Sequence, residues 1–255
     1  MLKESFVWLP KVRNQTERKW WSLGIRSWDD FAGKNKIAGL SAARKDAYDW
    51  HVKAAREKIK QEDAEYFAKV FRLGDHWRLF DQFGDQAAFL DIETDGYYGG
   101  VTVVGISDGE EAKTMVRGFN LDKHLFQKEL EKYKLLITFN GASFDVPVLE
   151  RYFGCKITQP HIDLRFVCQK VGLTGGLKSI ERELQIKRRK EVANFTGEDA
   201  VYLWQMWKST GDKDYLDKLV WYNEEDVFNL KPLAKKVIPE LWANLKGTVQ
   251  KRLSH

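Results

Sequence analysis

Apolar residues follow two different patterns along the chain. Over the first ~80 residues they recur near helical spacing among Lys, Arg and Glu. The most regular stretch, 41–71, predicts one long helix that lies on the main domain. After Gln86 the pattern changes to short apolar runs separated by glycine-containing turns. We therefore predict a helical N-terminal region at residues 1–84 and a second domain at residues 85–255.

The second region opens with three short apolar runs. Gly96, Gly99 and Gly100 mark the first turn, and Asp108-Gly109 marks the second, which predicts an antiparallel meander. Predicted strands span 87–93, 101–107, 112–117, 134–139 and 156–162, predicted helices span 121–133 and 144–153, and further helices follow from 164. This order predicts an α/β fold, with a mixed sheet flanked by helices and an N-terminal helical extension.

Composition narrows the class of protein. Hydrophobic residues make up 43% of the chain and charged residues 31%, which argues against global disorder. The net charge of +5 suits a polyanionic partner, although solubility alone would also explain it. Two cysteines without a CxxC motif argue against a zinc site. Because neither a signal peptide nor a membrane-length apolar run occurs, we expect a cytoplasmic protein.

Three acidic residues lie in or beside the predicted sheet. Asp91 and Glu93 are two apart in a strand, so both side chains project from one face, opposite Leu90 and Ile92. Such a pair suits a hard cation such as magnesium or manganese, but a solvated strand end is the commoner alternative. Asp145 opens a predicted helix, where it either binds a metal or complements the helix dipole.

A fourth acid lies on a late helix. Tyr222 and Asp226 are four residues apart and share one helical face. Glu224 and Glu225 are off that line, and we predict that they face solvent. The alternative for this helix is a core tyrosine beside a surface aspartate.

The order of these motifs is more specific than any one of them. Asp-x-Glu, Asn-x-x-x-Phe-Asp and Tyr-x-x-x-Asp together resemble the DEDD exonucleases of the ribonuclease H-like superfamily, in the tyrosine (DEDDy) branch. Segments 161–164, 175–181 and 222–227 are similar to the YprB-like group, which is related to the proofreading domain of family B DNA polymerases. The resemblance covers about 77–233. Asp95 departs from the pattern and adds negative charge near the expected metals.

The resemblance implies a mechanism and a ligand set. Two magnesium or manganese ions would be bound by Asp91, Glu93, Asp145 and Asp226, and Tyr222 would orient the attacking water. The implied reaction is 3′→5′ hydrolysis of nucleic acid that releases nucleoside 5′-monophosphates, with single-stranded DNA favoured over RNA. Two alternatives remain: a structure-directed or RNA-cleaving endonuclease of the same fold, and a non-catalytic nucleic-acid-binding module.

Substrate contacts are expected around the acids. The basic run 187–190 suits either a nucleic-acid track or a solvated surface. The residues expected to contact substrate are Thr94, Asn140, Phe144, Lys178, Arg188 and Arg189. Outside this set, Asp163 and His161 could assist substrate or metal binding, but structural roles are expected for both, with Asp163 forming a hydrogen bond to the neighbouring strand.

The N-terminal region offers a second candidate contact with nucleic acid. Residues 8–25 resemble a helix–hairpin–helix element, in which Lys11 and Arg13 replace the usual glycines. Trp20, Trp21 and Trp28 would either stack on bases or pack in a core.

Overall fold

One mixed β-sheet forms the centre of the molecule. The computed structural model describes the backbone of residues 1–96 and 100–253 and side chains as far as residue 247; the predicted turn residue Gly99 lies outside these ranges. The strands are β1 (Ala87–Thr94), β2 (Val101–Ser107), β3 (Ala112–Val116), β4 (Leu135–Thr138) and β5 (His161–Asp163). Their order is β3-β2-β1-β4-β5. The first three form the predicted antiparallel meander, and β4 and β5 are parallel to β1 and β4, respectively.

Helices precede the sheet, connect its strands and follow it. Short 3-10 segments occur at Leu2–Glu4, Leu73–Leu79 and Gly84–Gln86. The α-helices are α1 (Asn14–Ser22), α2 (Trp28–Ala32), α3 (Ala42–Lys60), α4 (Ala64–Val70), α5 (Phe80–Phe83), α6 (Lys123–Leu130), α7 (Asp145–Phe153), α8 (Leu164–Lys170), α9 (Leu177–Glu183), α10 (Gly197–Thr210) and α11 (Lys213–Leu253). No helix in the described part of the chain is both long and apolar enough to cross a membrane.

Two predicted elements differ from the structure. The single helix expected at 41–71 is two helices, α3 and α4, because Glu62 takes a left-handed conformation with φ +52°. Asp63 then caps α4 by accepting a hydrogen bond from the backbone N–H of Tyr66 at 2.9 Å. The strand expected at 156–162 is confined to β5, since only its last residues reach β4.

The two faces of β1 contact different layers. Leu90 and Ile92 pack in a core with Leu149 of α7, whereas Phe89 packs on the other face with Leu230 and Leu233 of α11. Because side chains alternate along a strand, Asp91 and Glu93 share the face of Phe89. They therefore point towards α11.

The N-terminal helices share their core with the sheet. Trp20, Trp21 and Trp28 are at most 3% exposed and belong to the same apolar cluster as Phe89 and Leu233. These tryptophans therefore pack in the core, and the base-stacking alternative is wrong. Lys11 adopts φ +62°, a left-handed conformation in which glycine is the usual residue.

A buried ion pair reinforces this shared core. Arg78 contacts Glu17 with a shortest nitrogen–oxygen distance of 3.0 Å, and both side chains are at most 1% exposed. Burial raises the pKa of Glu17, and the nearby Arg78 guanidinium opposes that effect. The pair joins α1 to the 3-10 segment Leu73–Leu79, which lies before the sheet in the sequence.

Candidate active site

Three of the four predicted acids come together against α11. One carboxylate oxygen from each of Asp91, Glu93 and Asp226 lies within 4.8 Å of the others. The strand period places the first two side by side, and α11 crosses that face of the sheet to deliver Asp226. Residues 135 positions apart in the sequence thus meet because of the fold.

Asp145 approaches from the opposite layer. It is the first residue of α7 and lies outside the group of three, but its Oδ1 accepts a hydrogen bond from the backbone N–H of Ile92 at 3.1 Å. Asp163 positions the loop between β4 and α7, because it accepts hydrogen bonds from the backbone N–H groups of Asn140, at 2.8 Å, and Ala142, at 3.1 Å. Asp163 thus has a structural role, as expected.

Burial raises the pKa values of all four carboxyl groups, and the charges of neighbouring acids add to this effect at Asp91, Glu93 and Asp145. Burial, followed by the charges of the neighbouring acids, raises the pKa values of Asp91 and Glu93 well above the ordinary range. Burial is also the main cause that raises the pKa of Asp145 to about 7 and that of Asp226 above its usual value. Ionisation of several buried carboxyl groups this close together is energetically unfavourable unless positive charge lies nearby.

Tyr222 lies one helical turn before Asp226 and is 6% exposed. Lys178 donates a hydrogen bond to its hydroxyl oxygen at 3.1 Å, with Nζ 4.2 Å from the ring centroid. Burial, and then the charges of Asp226, Glu93 and Asp91, raise the pKa of Tyr222 far above its usual value. The phenol therefore stays protonated, and the lysine leaves its O–H free to donate to another acceptor.

Arg188 enters the cluster from the basic run. Its guanidinium donates to Glu181, including a 2.8 Å hydrogen bond to Oε1, and also to Oδ1 of Asp226. Burial alone would lower the pKa of Arg188, but Glu181 and Asp226 outweigh it and raise the pKa. The side chain is only 6% exposed, so this member of the run is neither solvated nor part of an open surface track.

The rest of the basic run is divided between solvent and α11. Arg189 is half exposed and forms an ion pair with Glu225 at 3.4 Å, while its backbone N–H donates to Glu225 at 3.0 Å. Glu225 is therefore buried, and the prediction that it faces solvent is wrong, because the loop after α9 folds back onto α11. Glu224 is half-buried and accepts a hydrogen bond from Thr114 at 3.2 Å.

The other expected substrate contacts lie at the end of β1, after β4 or directly before α7. Thr94 is half-buried at the end of β1, beside an irregularity in the register. Phe144 is 41% exposed directly before α7. Asn140 has φ +69°, and its side-chain oxygen accepts hydrogen bonds from Arg165 at 2.6 Å and Ser143 at 3.0 Å.

Asp95 does not add an uncompensated charge to the cluster. Arg117 donates a hydrogen bond to its Oδ2 at 2.9 Å, and the guanidinium lies 4.8 Å from the ring centroid of Trp204. The expected extra negative charge near the metals is therefore offset within the protein.

A cavity of about 370 Å³ lies beside the acids. Lys178, Arg182 and Arg188 contribute positive charge to its lining, and Phe195 contributes an aromatic ring 6.3 Å from that of Tyr222. Glu181 also lines the cavity, but it is paired with Arg188. The cavity thus presents positive charge and an aromatic surface next to the carboxylates.

The acidic cluster fits hard divalent cations. All four side chains offer carboxylate oxygens, the ligands that magnesium and manganese prefer. Asp91, Glu93 and Asp226 already lie close enough to share an ion, and Asp145 is held beside β1 by its bond to Ile92. Their mutual repulsion is the electrostatic feature that bound cations would relieve.

Comparison with known proteins identifies the family of the chain. A family model described as the RNase_H superfamily matches residues 88–238, more than half of the chain. The chain belongs to the RNase_H superfamily. The match confirms the predicted ribonuclease H-like fold, a nuclease fold, and it covers all four acids and Tyr222.

One solved structure similar to this RNase_H superfamily chain is Escherichia coli RNase D, described as an exoribonuclease involved in structured RNA processing. The two are 19% identical, with a TM-score of 0.46, over 72% of this chain and 48% of the other. The chain thus spans about half the length of that structure. No curated protein matches the chain in sequence.

The sequence patterns do not predict the roles of two polar residues at this site. Glu181 anchors Arg188, and Asn223 donates a hydrogen bond from Nδ2 to Oδ2 of Asp91 at 2.9 Å. Helical spacing alone places Asn223 about 100° away from Tyr222 around the helix. The signal that could have found it is its position inside the third motif, directly after the tyrosine.

Proposed function

We propose that the chain is a metal-dependent 3′→5′ exonuclease of the DEDDy branch, in the YprB-like group related to the family B polymerase proofreading domain. The observation that carries the proposal is the convergence of Asp91, Glu93 and Asp226 beside a buried, protonated Tyr222. Asp145 completes the set of acids from the neighbouring helix. The order of the motifs along the chain supports the same branch.

The four acids would bind two divalent ions, Mg²⁺ or Mn²⁺, which when bound supply Lewis acidity to the attacking water and the leaving oxygen. Tyr222 donates its O–H to the attacking water and so orients it. Lys178 fixes the phenol by donating to its oxygen. The water oxygen bonds to phosphorus and releases one proton to solvent, the bond from phosphorus to O3′ breaks, O3′ takes up a proton from solvent, and a nucleoside 5′-monophosphate leaves.

The proposed substrate is nucleic acid, with single-stranded DNA favoured over RNA. The cavity lined by Lys178, Arg182 and Phe195 supports this class, because cations suit phosphates and an aromatic ring suits a base. A single strand reaches such a recessed cluster more readily than a stacked duplex does. The net charge of +5 favours binding of a polyanion.

The test is digestion of end-labelled oligonucleotides, DNA or RNA and single- or double-stranded, with Mg²⁺, Mn²⁺ or EDTA. We expect stepwise shortening from the 3′ end that requires metal and is lost in Asp91→Asn. Asp85→Asn is the matched control, because Asp85 is exposed just before β1. Absence of metal-dependent hydrolysis, or equal hydrolysis by D91N, would refute the proposal. Efficient cutting of circular single strands would instead indicate an endonuclease.

A further inference from the structure

We infer that Asn223 is a positioning residue that holds the carboxylate of Asp91 in its metal-binding orientation, in a space that Gly105 provides. Asn223 is 0% exposed, and its Nδ2 donates to Oδ2 of Asp91 at 2.9 Å. This is the one side-chain hydrogen bond to Asp91 within residues 1–96 and 100–247. The inference rests on the proposed metal site and adds the group that orients one of its ligands.

Gly105 makes this contact sterically possible. It is the direct partner of Asp91 in the antiparallel pairing of β1 with β2, so it lies next to the carboxylate under α11. A Cβ at this position would lie 2.2 Å from Oδ1 of Asn223 and 3.1 Å from Cγ1 of Val227. Since φ of Gly105 is not in the left-handed region, the need for glycine here comes from the space that Asn223 occupies.

The amide oxygen of Asn223 indicates that this residue does not serve mainly to stabilise the fold. Its Oδ1 is buried and has no hydrogen-bond partner among the described residues. Burial of an unpaired acceptor is unfavourable, so an apolar side chain of the same volume would suit the surroundings of Oδ1 better. What the amide supplies is an N–H donor directed at Asp91. The carboxyl group of Asp91 can accept this hydrogen bond whether it is ionised or protonated.

Hydrogen bonds to ligating carboxylates fix their orientation and commonly change metal affinity by about 10–100-fold. Asp91 also experiences repulsion from Asp226, Asp145 and Glu93. An unrestrained carboxylate would turn away from those neighbours, and the bond from Asn223 to one of its oxygens opposes that rotation. The expected effect of losing the bond is therefore weaker metal binding, even where the fold is unchanged.

Mn²⁺ affinity, measured by the electron paramagnetic resonance of the free ion, tests the inference without reference to activity. Asn223→Leu keeps the number and branching of the side-chain heavy atoms and removes the donor, and we expect at least tenfold weaker binding. Gly105→Ala should weaken binding similarly, because its new Cβ displaces the amide. In the Asn223→Ala background the same glycine substitution should have little further effect.

Thr102→Val is the control for disturbance of β2, since it removes a buried hydroxyl that has no partner among the described residues; its Mn²⁺ affinity should match that of the wild type. Unchanged Mn²⁺ affinity in folded N223L would overturn the inference, as would full additivity of N223A and G105A. If N223L does not fold, N223A carries the same test. A wild-type protein that binds no Mn²⁺ refutes the proposed metal site itself, whereas wild-type binding that N223L leaves intact refutes only the role of Asn223.

Discussion

Arg188 donates a hydrogen bond to Asp226 from inside the acidic cluster, and both side chains are at most 10% exposed. Glu181 also accepts hydrogen bonds from this guanidinium, through Nε and through the same Nη2 that donates to Asp226. A cation that is fixed in this way compensates part of the charge of Asp226 before any substrate phosphate arrives. Arg188 is therefore part of the electrostatics of the acids, in addition to being a candidate contact for nucleic acid.

Arg188→Gln should destabilise the protein more in EDTA than in Mn²⁺. Removing one partner from a buried ion pair typically costs about 3–5 kcal/mol, and divalent ions would take over the compensation of Asp226. The measurement is denaturant unfolding under both conditions. Arg189→Gln is the matched control, with a small loss in each, because Arg189 is half exposed and contacts Glu225. An identical loss for R188Q with and without Mn²⁺ would contradict this account.

Tyr222→Phe should separate catalysis from metal binding. Loss of the hydroxyl removes the group that orients the attacking water, and a misplaced reactant costs about 10²-fold in rate. Mn²⁺ affinity should stay near the wild-type value, since Tyr222 is not a carboxylate ligand. The check is kcat with a single-stranded oligonucleotide, together with a Mn²⁺ titration.

The same variant tests the protonation state of the phenol. Because the pKa of Tyr222 is raised far above its usual value, the wild-type rate should show no step from this group as the pH rises to 10. A wild-type step near pH 10 that disappears in Y222F would show that the phenol titrates there and would contradict the inferred protonated state.

The strands and acids of this protein were predictable because each depends on local sequence. The alternation in β1 placed Asp91 and Glu93 on one face, and the structure bears this out against α11. Glycine-containing turns marked the meander of β1, β2 and β3 correctly. The order of the motifs indicated the ribonuclease H-like fold, which the family match confirms.

Features that depend on tertiary folding were not predictable in the same way. The run around Arg188 looks like a solvated surface in sequence, but the loop after α9 folds back and buries Arg188 beside Asp226. Glu225 is buried for the same reason. Asn223 reaches Asp91 only because α11 approaches β2 closely at Gly105, a contact between residues that are far apart in the chain.

Asp145→Asn should change how the stability of the metal-free protein depends on pH. The pKa of Asp145 is raised from 3.8 to about 7, so the folded protein keeps a proton that the unfolded chain releases. The stability that this group contributes is present at low pH and lost as the pH rises from about 4 to about 7. Asn keeps a carbonyl acceptor for the N–H of Ile92 and does not titrate.

The free energy of unfolding of D145N relative to wild type should therefore increase with pH in EDTA. At about 1.4 kcal/mol for each pKa unit, the full change is on the order of 4 kcal/mol. Denaturant unfolding at several pH values between 4 and 8 measures it. Parallel curves for the two proteins would show that Asp145 ionises normally and that its burial does not raise its pKa.

Glu17→Gln tests whether residues 1–84 fold as a separate unit. Glu17 and Arg78 are a fully buried pair within the core that the N-terminal helices share with the sheet. Loss of one charge leaves the other buried, at a cost of about 3–5 kcal/mol. Because the core is continuous, we expect one unfolding transition for the whole chain, shifted to lower temperature, with Mn²⁺ binding lost in the same transition.

Asp29→Asn, which removes the exposed partner of Arg56, is the control and should leave the unfolding temperature unchanged. Two separate transitions in E17Q, with Mn²⁺ binding retained after the first, would instead establish the boundary after residue 84 as one between independent domains.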